Sequence, residues 1–367
     1  MKKRLLATVL AGAMVLSMAA CGSNNANKTE SAAESESAAA TEAGETQAAA
    51  QEGDASSELN IYMWQQYISD DLIKNFETEN NCKVNLSYMS DNADAINKLT
   101  AGGGDEYDLI MTCDAYMKSL IAGGYVEELN LDNIPNSSNI NDTYWVSKGY
   151  CVPYLMNYIY VVYDSETCPV EIHSYNDLLQ SGLKISTIDG ARNLFPIALV
   201  ALGYDPNSTN ESEIAEAYEW LQKFNENVVA YGNAEQNLTN GTANVAVTYD
   251  GNASWAMKEK NTIKVADFTS DPIQLGIDLF VMPKGAKHVD LAEKFLNYIC
   301  TAEVMAKNLE EFPYSCPNDA AVAAASDDYK NDPARDFSYK ENVFFQEDVG
   351  DALTIYNDYY QKLKVGE

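Results

Sequence analysis

Hydrophobic and polar positions follow two different periods along the chain from residue 59 onwards. Alternation, or a short apolar run, predicts strands at 59–63, 84–88, 107–112, 154–163, 185–188, 245–248 and 279–282. Apolar positions three or four apart predict helices from residue 70 and at 93–100, 115–122, 191–202, 212–224, 252–258, 291–299 and 349–363. A short capped helix is predicted at 174–179. This order predicts an α/β fold with a mostly parallel sheet covered on both faces, and it fits two lobes better than one sheet.

The first 20 residues have the pattern of a secretory signal peptide. A basic start at 2–4 precedes an apolar run at 5–20, which is shorter than the roughly 20 residues of a membrane-spanning helix. Small residues then lead into Cys21 and resemble a bacterial lipobox, although Met18 stands where leucine is usual. We therefore predict that lipid on Cys21 anchors the protein to the extracellular face of the cell membrane. Ordinary cleavage that leaves Cys21 free is the alternative.

Residues 21–57 are predicted to be the lipidated cysteine followed by a disordered tether. After Cys21 they are almost all Ser, Ala, Asn, Glu, Gln, Gly or Thr, and they include no aromatic residue. Such a segment cannot bury enough apolar surface to offset the entropy that ordering would cost. The remainder of the 367-residue chain is long enough for a sizeable core that tends to divide into two.

The chain is strongly acidic, with a formal net charge of -31. This charge argues against nucleic acid as a partner, because phosphate binding needs clustered Lys and Arg. An acidic surface attracts cationic solutes. Solubility alone is an equally good explanation of the charge.

Residues that carry catalytic or metal chemistry are sparse. The chain has two histidines, neither in a metal-spaced motif, and it has no G-x-S-x-G elbow and no P-loop. Beyond Cys21 there are six cysteines without a C-x-x-C pair: Cys82, Cys113, Cys151, Cys168, Cys300 and Cys316. We interpret them as buried free thiols, with a disulfide, which an exported protein can form, as the alternative. We predict no catalytic residue, no cofactor and no metal, and keep a carboxylate-pair hydrolase as an open alternative.

Aromatic residues are abundant, with 24 Tyr and 4 Trp. Ring faces and a few carboxylates together hold a small organic cation well. A cation–π contact contributes about 0.5–2 kcal/mol and a charge-assisted hydrogen bond about 1.5–3 kcal/mol.

Several stretches share their residues and their order with one protein family. They are 62–67 (YMWQQY), 107–110 (YDLI), 190–192 (GAR), 201–204 (ALGY), 249–253 (YDGNA), 278–283 (DLFVMP), 346–350 (QEDVG) and 355–363 (IYNDYYQKL). Together, from residue 59 to the end, they resemble the spermidine/putrescine-binding proteins of bacterial polyamine importers. The resemblance implies an extracellular solute-binding protein that delivers a polyamine to the permease of an ABC transporter. A monomer is the default expectation for a binder that closes a cleft around its ligand.

The resemblance also implies a two-lobed, periplasmic-binding-protein-like fold, with a hinge and a ligand cleft between the lobes. On this basis we predict one lobe from 58–153 and 279–311, and the other from 154–278 and 312–367. Trp64 and Tyr67 would form a wall of the first lobe, Tyr249 would replace a family tryptophan, and Asp278 would pair with an ammonium group. The predicted ligand-binding set is completed by Gln65, Cys113, Tyr116, Asp189, Asn193, Tyr314 and Gln346. Core packing of the aromatic residues and a capping role for Asp278 are the alternatives.

The sequence departs from the family where the ligand would lie. Cys113 and Ala115 stand where spermidine binders have serine and tyrosine, with Tyr116 adjacent. Gly190 and Asn193 stand where those proteins have an acidic pair, and Asp189 lies one residue earlier. Fewer carboxylates would leave one end of a triamine unpaired. We therefore expect putrescine, or another small amine or zwitterion, rather than spermidine. A surface enzyme acting on a small metabolite is the remaining alternative.

Overall fold

The computed structural model describes residues 57–337 and 340–366 of the chain. The predicted signal peptide, the predicted lipid site at Cys21 and the predicted tether as far as residue 56 lie outside the described residues. None of the helices in the described part is both long and apolar enough to cross a membrane.

Each predicted strand and helix has a counterpart in the structure, which also contains elements that the pattern did not predict, at 228–231, 234–239, 263–265, 302–311, 319–324, 327–330 and 343–344. The strands are β1 (Glu58–Met63), β2 (Lys83–Tyr88), β3 (Leu109–Cys113), β4 (Val152–Asp164), β5 (Ile185–Thr187), β6 (Val228–Tyr231), β7 (Val245–Tyr249), β8 (Ile263–Val265), β9 (Ile273–Val281) and β10 (Val343–Phe344). The α-helices are α1 (Asp70–Asn80), α2 (Asn92–Thr100), α3 (Met117–Ala122), α4 (Ala191–Ala201), α5 (Glu211–Asn225), α6 (Ala234–Thr239), α7 (Asp250–Glu259), α8 (Val289–Ile299), α9 (Ala302–Glu311), α10 (Asp319–Ala324), α11 (Asp327–Lys330) and α12 (Ala352–Val365).

The strands form a single sheet in the order β2-β1-β3-β9-β4-β7-β5-β6, with β10 beside β9 and β8 beside β4. Pairing is parallel at both ends, where β1 lies between β2 and β3 and where β5 lies between β6 and β7. In the centre β9 pairs antiparallel with β3 and β4, and β4 pairs antiparallel with β7. The prediction of a mostly parallel sheet therefore describes the ends of the sheet but not its centre.

Two large clusters of buried side chains account for most of the core. The long strand β4 contributes residues 152, 154 and 155 to the first cluster and residues 159–162 to the second. Strand β9 also spans both, with Ile273 in the second cluster and residues 279–281 in the first. These two strands therefore join two α/β lobes.

The predicted lobe boundaries can be compared with these clusters. The changes at 154 and 279 fall within β4 and β9, where the chain crosses between clusters. After α9 the predicted boundary and the clusters differ, because buried residues as far as Tyr329 pack in the first cluster and Ala334 is in the second. The prediction placed the crossing at residue 312.

Some predicted elements have different ends or types. The helix predicted at 115–122 begins at Met117, and a 3₁₀ turn, Asp114–Tyr116, precedes it. The capped helix at 174–179 is a 3₁₀ helix, Tyr175–Leu179, with the predicted cap: the Ser174 backbone N–H and hydroxyl each donate to the Asp177 carboxylate at 2.9 Å. All six body cysteines are free thiols in the structure, and four of them are buried.

Gly104 lies where the chain after α2 packs against the backbone of residues 284–286. A Cβ atom at this position would lie 2.2 Å from the Lys284 carbonyl oxygen, so no side-chain rotation can relieve the clash. We expect Gly104→Ala to destabilise the fold by about 2 kcal/mol or more, measured by denaturant unfolding of the ligand-free protein. Gly276→Ala is the matched control, because its nearest neighbour would be 4.0 Å away. Equal unfolding midpoints for the two variants would contradict this close approach.

Candidate ligand-binding site

A cavity of about 660 Å³ lies where β4 and β9 cross between the two lobes. Its lining comes from both lobes and from the crossing strands: Trp64, Gln65, Tyr67, Ser90, Asp91, Asn92, Cys113, Asp114, Asn157, Ile159, Asp189, Gly190, Asn193, Tyr249, Asn252, Gln274, Gly276, Ile277, Asp278, Tyr314 and Gln346.

Every ligand-binding residue predicted from the sequence lines this cavity except Tyr116. Tyr116 is half-buried against the first cluster instead. The 3₁₀ turn Asp114–Tyr116 is the physical reason, because it brings Asp114 rather than Tyr116 to the cavity. The alternative of core packing holds in part as well: Tyr67 and Tyr314 are members of the first buried cluster and also line the cavity.

Asp278 is the most enclosed of the carboxylates in the cavity. Its Oδ2 atom accepts hydrogen bonds from the Tyr67 hydroxyl at 2.7 Å and from Asn157 Nδ2 at 2.7 Å. Burial raises the pKa of Asp278 to about 6, although hydrogen bonds from Tyr67, Asn157 and Trp64 favour the charged form. All three of these partners are neutral, so the negative charge of Asp278 has no cation to balance it.

Asp114 is a second, half-buried carboxylate of the cavity, and the sequence analysis missed it. In the antiparallel register Cys113 lies opposite Asp278, which places Asp114, the next residue, beside Ile277 of β9. Asp114 Oδ1 accepts a hydrogen bond from the Ile277 backbone N–H at 3.4 Å. Burial raises the pKa of Asp114 to about 7, and the negative charge of Asp278 adds to the increase. The two carboxylates therefore share one acidic end of the cavity.

The floor of the cavity is one face of β9. Residues 274, 276 and 278 alternate toward the same side of the strand, and all three line the cavity. The side chain of Gln274 is almost fully buried, and its Oε1 atom has no hydrogen-bond partner in the described part of the chain. An unpaired buried acceptor is costly. It is suited to receive a hydrogen bond from a ligand donor.

Aromatic rings form the wall next to Asp278. The Tyr67 and Tyr314 ring centres are 5.0 Å apart, and Trp255 packs edge-on against Tyr314 at 6.0 Å. Gly251 makes room for this wall, because a Cβ atom there would lie 2.5 Å from a ring carbon of Tyr314. Tyr249 packs against both hydrophobic clusters.

The opposite end of the cavity is formed by the loop before α4 and the start of that helix. Asn193 Nδ2 donates to the Asp189 carbonyl oxygen at 2.7 Å and to the Tyr249 hydroxyl at 3.3 Å. Asp189 is half-exposed, and its carboxylate lies 3.3 Å from the ammonium group of Lys364. Gln346 donates its amide to the Arg192 carbonyl oxygen. This end of the cavity therefore offers amide groups and one carboxylate, Asp189, that is already paired with the ammonium group of Lys364.

Four carboxylates, those of Asp91, Asp114, Asp189 and Asp278, line the cavity, and no lysine or arginine is among its described lining residues. Within the described ranges, no group of three or more His, Cys, Asp or Glu residues is arranged to hold a metal ion. The two lobes, the crossing strands and the enclosed acidic cavity between them define the class of solute-binding proteins that hold a small ligand between two lobes.

The chain belongs to the bacterial extracellular solute-binding protein family, whose model matches residues 71–336. A spermidine/putrescine-binding periplasmic protein of Salmonella typhimurium is 30% identical over 331 residues, which cover 87% of this chain and 94% of that protein. Spermidine/putrescine-binding periplasmic protein 1 of Haemophilus influenzae is 28% identical over 327 residues, covering 85% and 90%. The solved structure of a candidate spermidine/putrescine ABC transporter from Listeria monocytogenes is 27% identical, with a TM-score of 0.78 over 84% of this chain and 99% of that one. The predicted two-lobed α/β fold is confirmed.

Proposed function

We propose that this protein captures a small polyamine outside the cell and delivers it to an ABC importer. The observation that carries the proposal is the charge of the cavity: four carboxylates line it, and no described lining residue is a lysine or arginine. Burying uncompensated carboxylates is costly. A ligand that brings its own positive charge removes that cost, whereas an anionic ligand would increase it. The names of the relatives, which refer to spermidine and putrescine, support the same ligand class.

The ligand ammonium group is expected to bind at the Asp278 end of the cavity. There the carboxylates of Asp114 and Asp278 supply the charge, and the rings of Tyr67 and Tyr314 supply apolar and cation–π contacts. The unpaired Gln274 Oε1 atom offers an additional neutral acceptor on the cavity floor. This combination of rings and carboxylates suits a primary ammonium on an aliphatic chain.

The other end of the cavity favours a diamine over a triamine. Asn193 and Gly190 offer no carboxylate, and Asp189 already faces Lys364 at 3.3 Å. A further ammonium group would therefore find weak electrostatic compensation there. We retain putrescine as the preferred ligand, with another small amine or a zwitterion as the second candidate.

The proposed anchoring and assembly follow from the sequence. A signal peptide at 1–20 would direct export, and lipid on Cys21 would then attach a monomer to the extracellular face of the cell membrane through the tether at 22–57.

Binding rather than catalysis is the proposed activity. Recovery of chemically unchanged ligand from the purified protein, identified by mass spectrometry, would support it, and ligand conversion by the purified protein would favour the enzyme alternative.

A calorimetric panel tests the ligand class. We expect putrescine to bind at least about tenfold more tightly than spermidine, because the Asp189 end compensates a further ammonium poorly. 1,4-Butanediol, which has the same length but no charge, is the matched control and is expected not to bind measurably. Binding of the diol as tightly as the diamine would overturn the cation hypothesis. Tighter binding of spermidine than putrescine would overturn the diamine preference.

A further inference from the structure

The ammonium group of Lys364, near the end of α12, lies in a small site of its own at the edge of the cavity. Its Nζ atom is 3.5 Å from the centre of the Tyr231 ring and 5.8 Å from the centre of the Tyr360 ring. It is also 3.3 Å and 3.4 Å from the two carboxylate oxygens of Asp189. A ring face and a carboxylate are the same groups that would bind an ammonium group of the proposed ligand.

The surroundings of Lys364 are held in place by other contacts. The Tyr231 hydroxyl donates to Asn225 Oδ1 at 2.7 Å, which fixes the ring under the ammonium group. The Tyr360 hydroxyl accepts a hydrogen bond from the Gly190 backbone N–H at 3.0 Å, which ties α12 to the loop that carries Asp189. The site is therefore a built ammonium site, occupied by a side chain of the protein itself.

Asp189 belongs to this site and to the cavity at the same time. It lines the cavity, whereas Lys364 is not among the lining residues. Among the four lining carboxylates, only Asp189 forms an ion pair within the described part of the chain. A ligand that extends to this end meets a carboxylate that is already paired with Lys364.

We propose that Lys364 acts as a built-in ammonium group that pairs with Asp189 at the edge of the cleft and sets the preference for a diamine over a triamine. This inference rests on the proposed function, since it concerns selectivity within the same cavity. The diamine uses the Asp278 end, whose carboxylates have no cationic partner. The additional ammonium of a triamine would have to compete with Lys364 for Asp189, and electrostatic repulsion from Lys364 would weaken its binding.

A purely structural role for Lys364 makes a different prediction. Its side chain is 32% exposed, and Asp189 is 58% exposed, so the ion pair contributes little to stability. If the pair only fastened α12, its removal would change the affinities for both amines alike or leave both unchanged. A change in the ratio of the two affinities separates the roles.

The test compares Lys364→Gln with wild type by calorimetry with putrescine and spermidine. We expect Lys364→Gln to tighten spermidine binding by about fivefold to tenfold, and putrescine binding by less than about twofold, because freed Asp189 can pair with the third ammonium. The double variant Lys364→Gln, Asp189→Asn should lose this gain. An unchanged spermidine-to-putrescine ratio in the single variant would overturn the proposal.

Two further variants keep the result interpretable. Lys362→Gln removes a lysine from the same helix whose Nζ atom lies 5.0 Å from the Tyr359 ring, and it should leave the ratio at the wild-type value. Lys364→Arg keeps the positive charge and should retain the wild-type ratio of the two affinities. A gain of spermidine affinity in Lys364→Arg would contradict the proposal. Failure of the wild-type protein to bind either amine would overturn the proposed function itself. Normal wild-type binding with an unchanged ratio in Lys364→Gln would overturn only the inference about Lys364.

Discussion

Replacing Asp278 with asparagine is expected to weaken putrescine binding by about 100-fold or more, because it removes the deepest negative charge in the cavity. Asp278 is 6% exposed, and its only hydrogen-bond partners in the described structure, Tyr67, Asn157 and Trp64, are neutral. The ligand ammonium would be its first cationic partner. Without the Asp278 carboxylate, the desolvated ligand ammonium would have less negative charge to balance it, and calorimetry would record a large loss of affinity.

The loss should come from binding and not from unfolding. Burial raises the pKa of Asp278 in the folded protein to about 6, so at neutral pH the folded state carries a carboxylate that burial disfavours. A neutral asparagine avoids that cost, and its carbonyl oxygen can still accept a hydrogen bond from Tyr67 or Asn157. We expect the melting temperature of ligand-free Asp278→Asn to equal or exceed that of wild type.

Asp91→Asn is the matched control for Asp278→Asn. Asp91 lines the same cavity, but it is exposed, and its side chain accepts a hydrogen bond from the Asp94 backbone N–H at 2.9 Å at the start of α2. Asparagine caps a helix about as well as aspartate, so the helix is preserved. We expect less than about a threefold change in affinity, because an exposed charge is screened by solvent. Similar losses in both variants would contradict a special role for the buried carboxylate.

Much of the fold followed from the periodicity of the sequence. The pattern from β1 to α3 was predicted because each strand alternates or is wholly apolar, and each helix buries one face. Only the second half of β9 was predicted, although Gln274, Gly276 and Asp278 alternate with apolar residues in the first half, as in a half-buried strand. This alternation has a physical cause: β9 crosses between the lobes, so one of its faces lines the cavity instead of packing in a core.

The sequence predicted some residues of the candidate site and missed others. The aromatic residues and Asp278 lie in stretches that resemble the family, so their positions could be carried over one by one. Asp114 lies among residues where the chain departs from the family, and only the 3₁₀ turn and the register with β9 bring it to the cavity. The pairing of Lys364 with Asp189 joins residues 175 positions apart, and no local pattern records such a contact.

Asp114, Asp278 and Gln274 each bring to the cavity a polar group that the protein compensates incompletely. The two carboxylates have no cationic partner in the described part of the chain, and Gln274 Oε1 has no hydrogen-bond partner there. Such groups lower the stability of the empty protein, and their clustering at one cavity is typical of a functional site. A cationic ligand satisfies all three at once. The same groups that make the empty cavity unfavourable therefore make it selective.

Lowering the pH from 8 to 5 is expected to weaken putrescine binding by about 100-fold or more, measured by calorimetry. In the empty protein, burial raises the pKa of Asp114 to about 7 and that of Asp278 to about 6. Both carboxyl groups are charged at pH 8 and mostly protonated at pH 5. Amines of this type keep their protons over the whole range, with pKa values near 10. The ligand must therefore displace protons at low pH, which costs about tenfold in affinity per pH unit for each displaced proton.

Stability of the empty protein should change in the opposite direction. The folded-state pKa values of Asp114 and Asp278 lie above the unfolded value of 3.8, so between about pH 4 and 7 the folded state binds more protons. The contribution of these two groups to the free energy of unfolding therefore falls as the pH rises through this interval. Tyr67, Cys113 and Tyr249, which face the pair, stay neutral throughout because burial raises their pKa values.

Proton counting gives the sharpest form of this prediction. Calorimetry at pH 6.5 in buffers of different ionisation enthalpy should show that putrescine binding releases protons, because the ligand favours the charged carboxylates. Asp114→Asn should release fewer protons and show a shallower pH dependence, since only Asp278 then titrates in the cavity. Affinity that stays constant from pH 8 to 5, or proton uptake on binding, would mean that the ammonium group does not bind at this pair of carboxylates. The binding energy would then have to come from the aromatic wall and the amide groups alone.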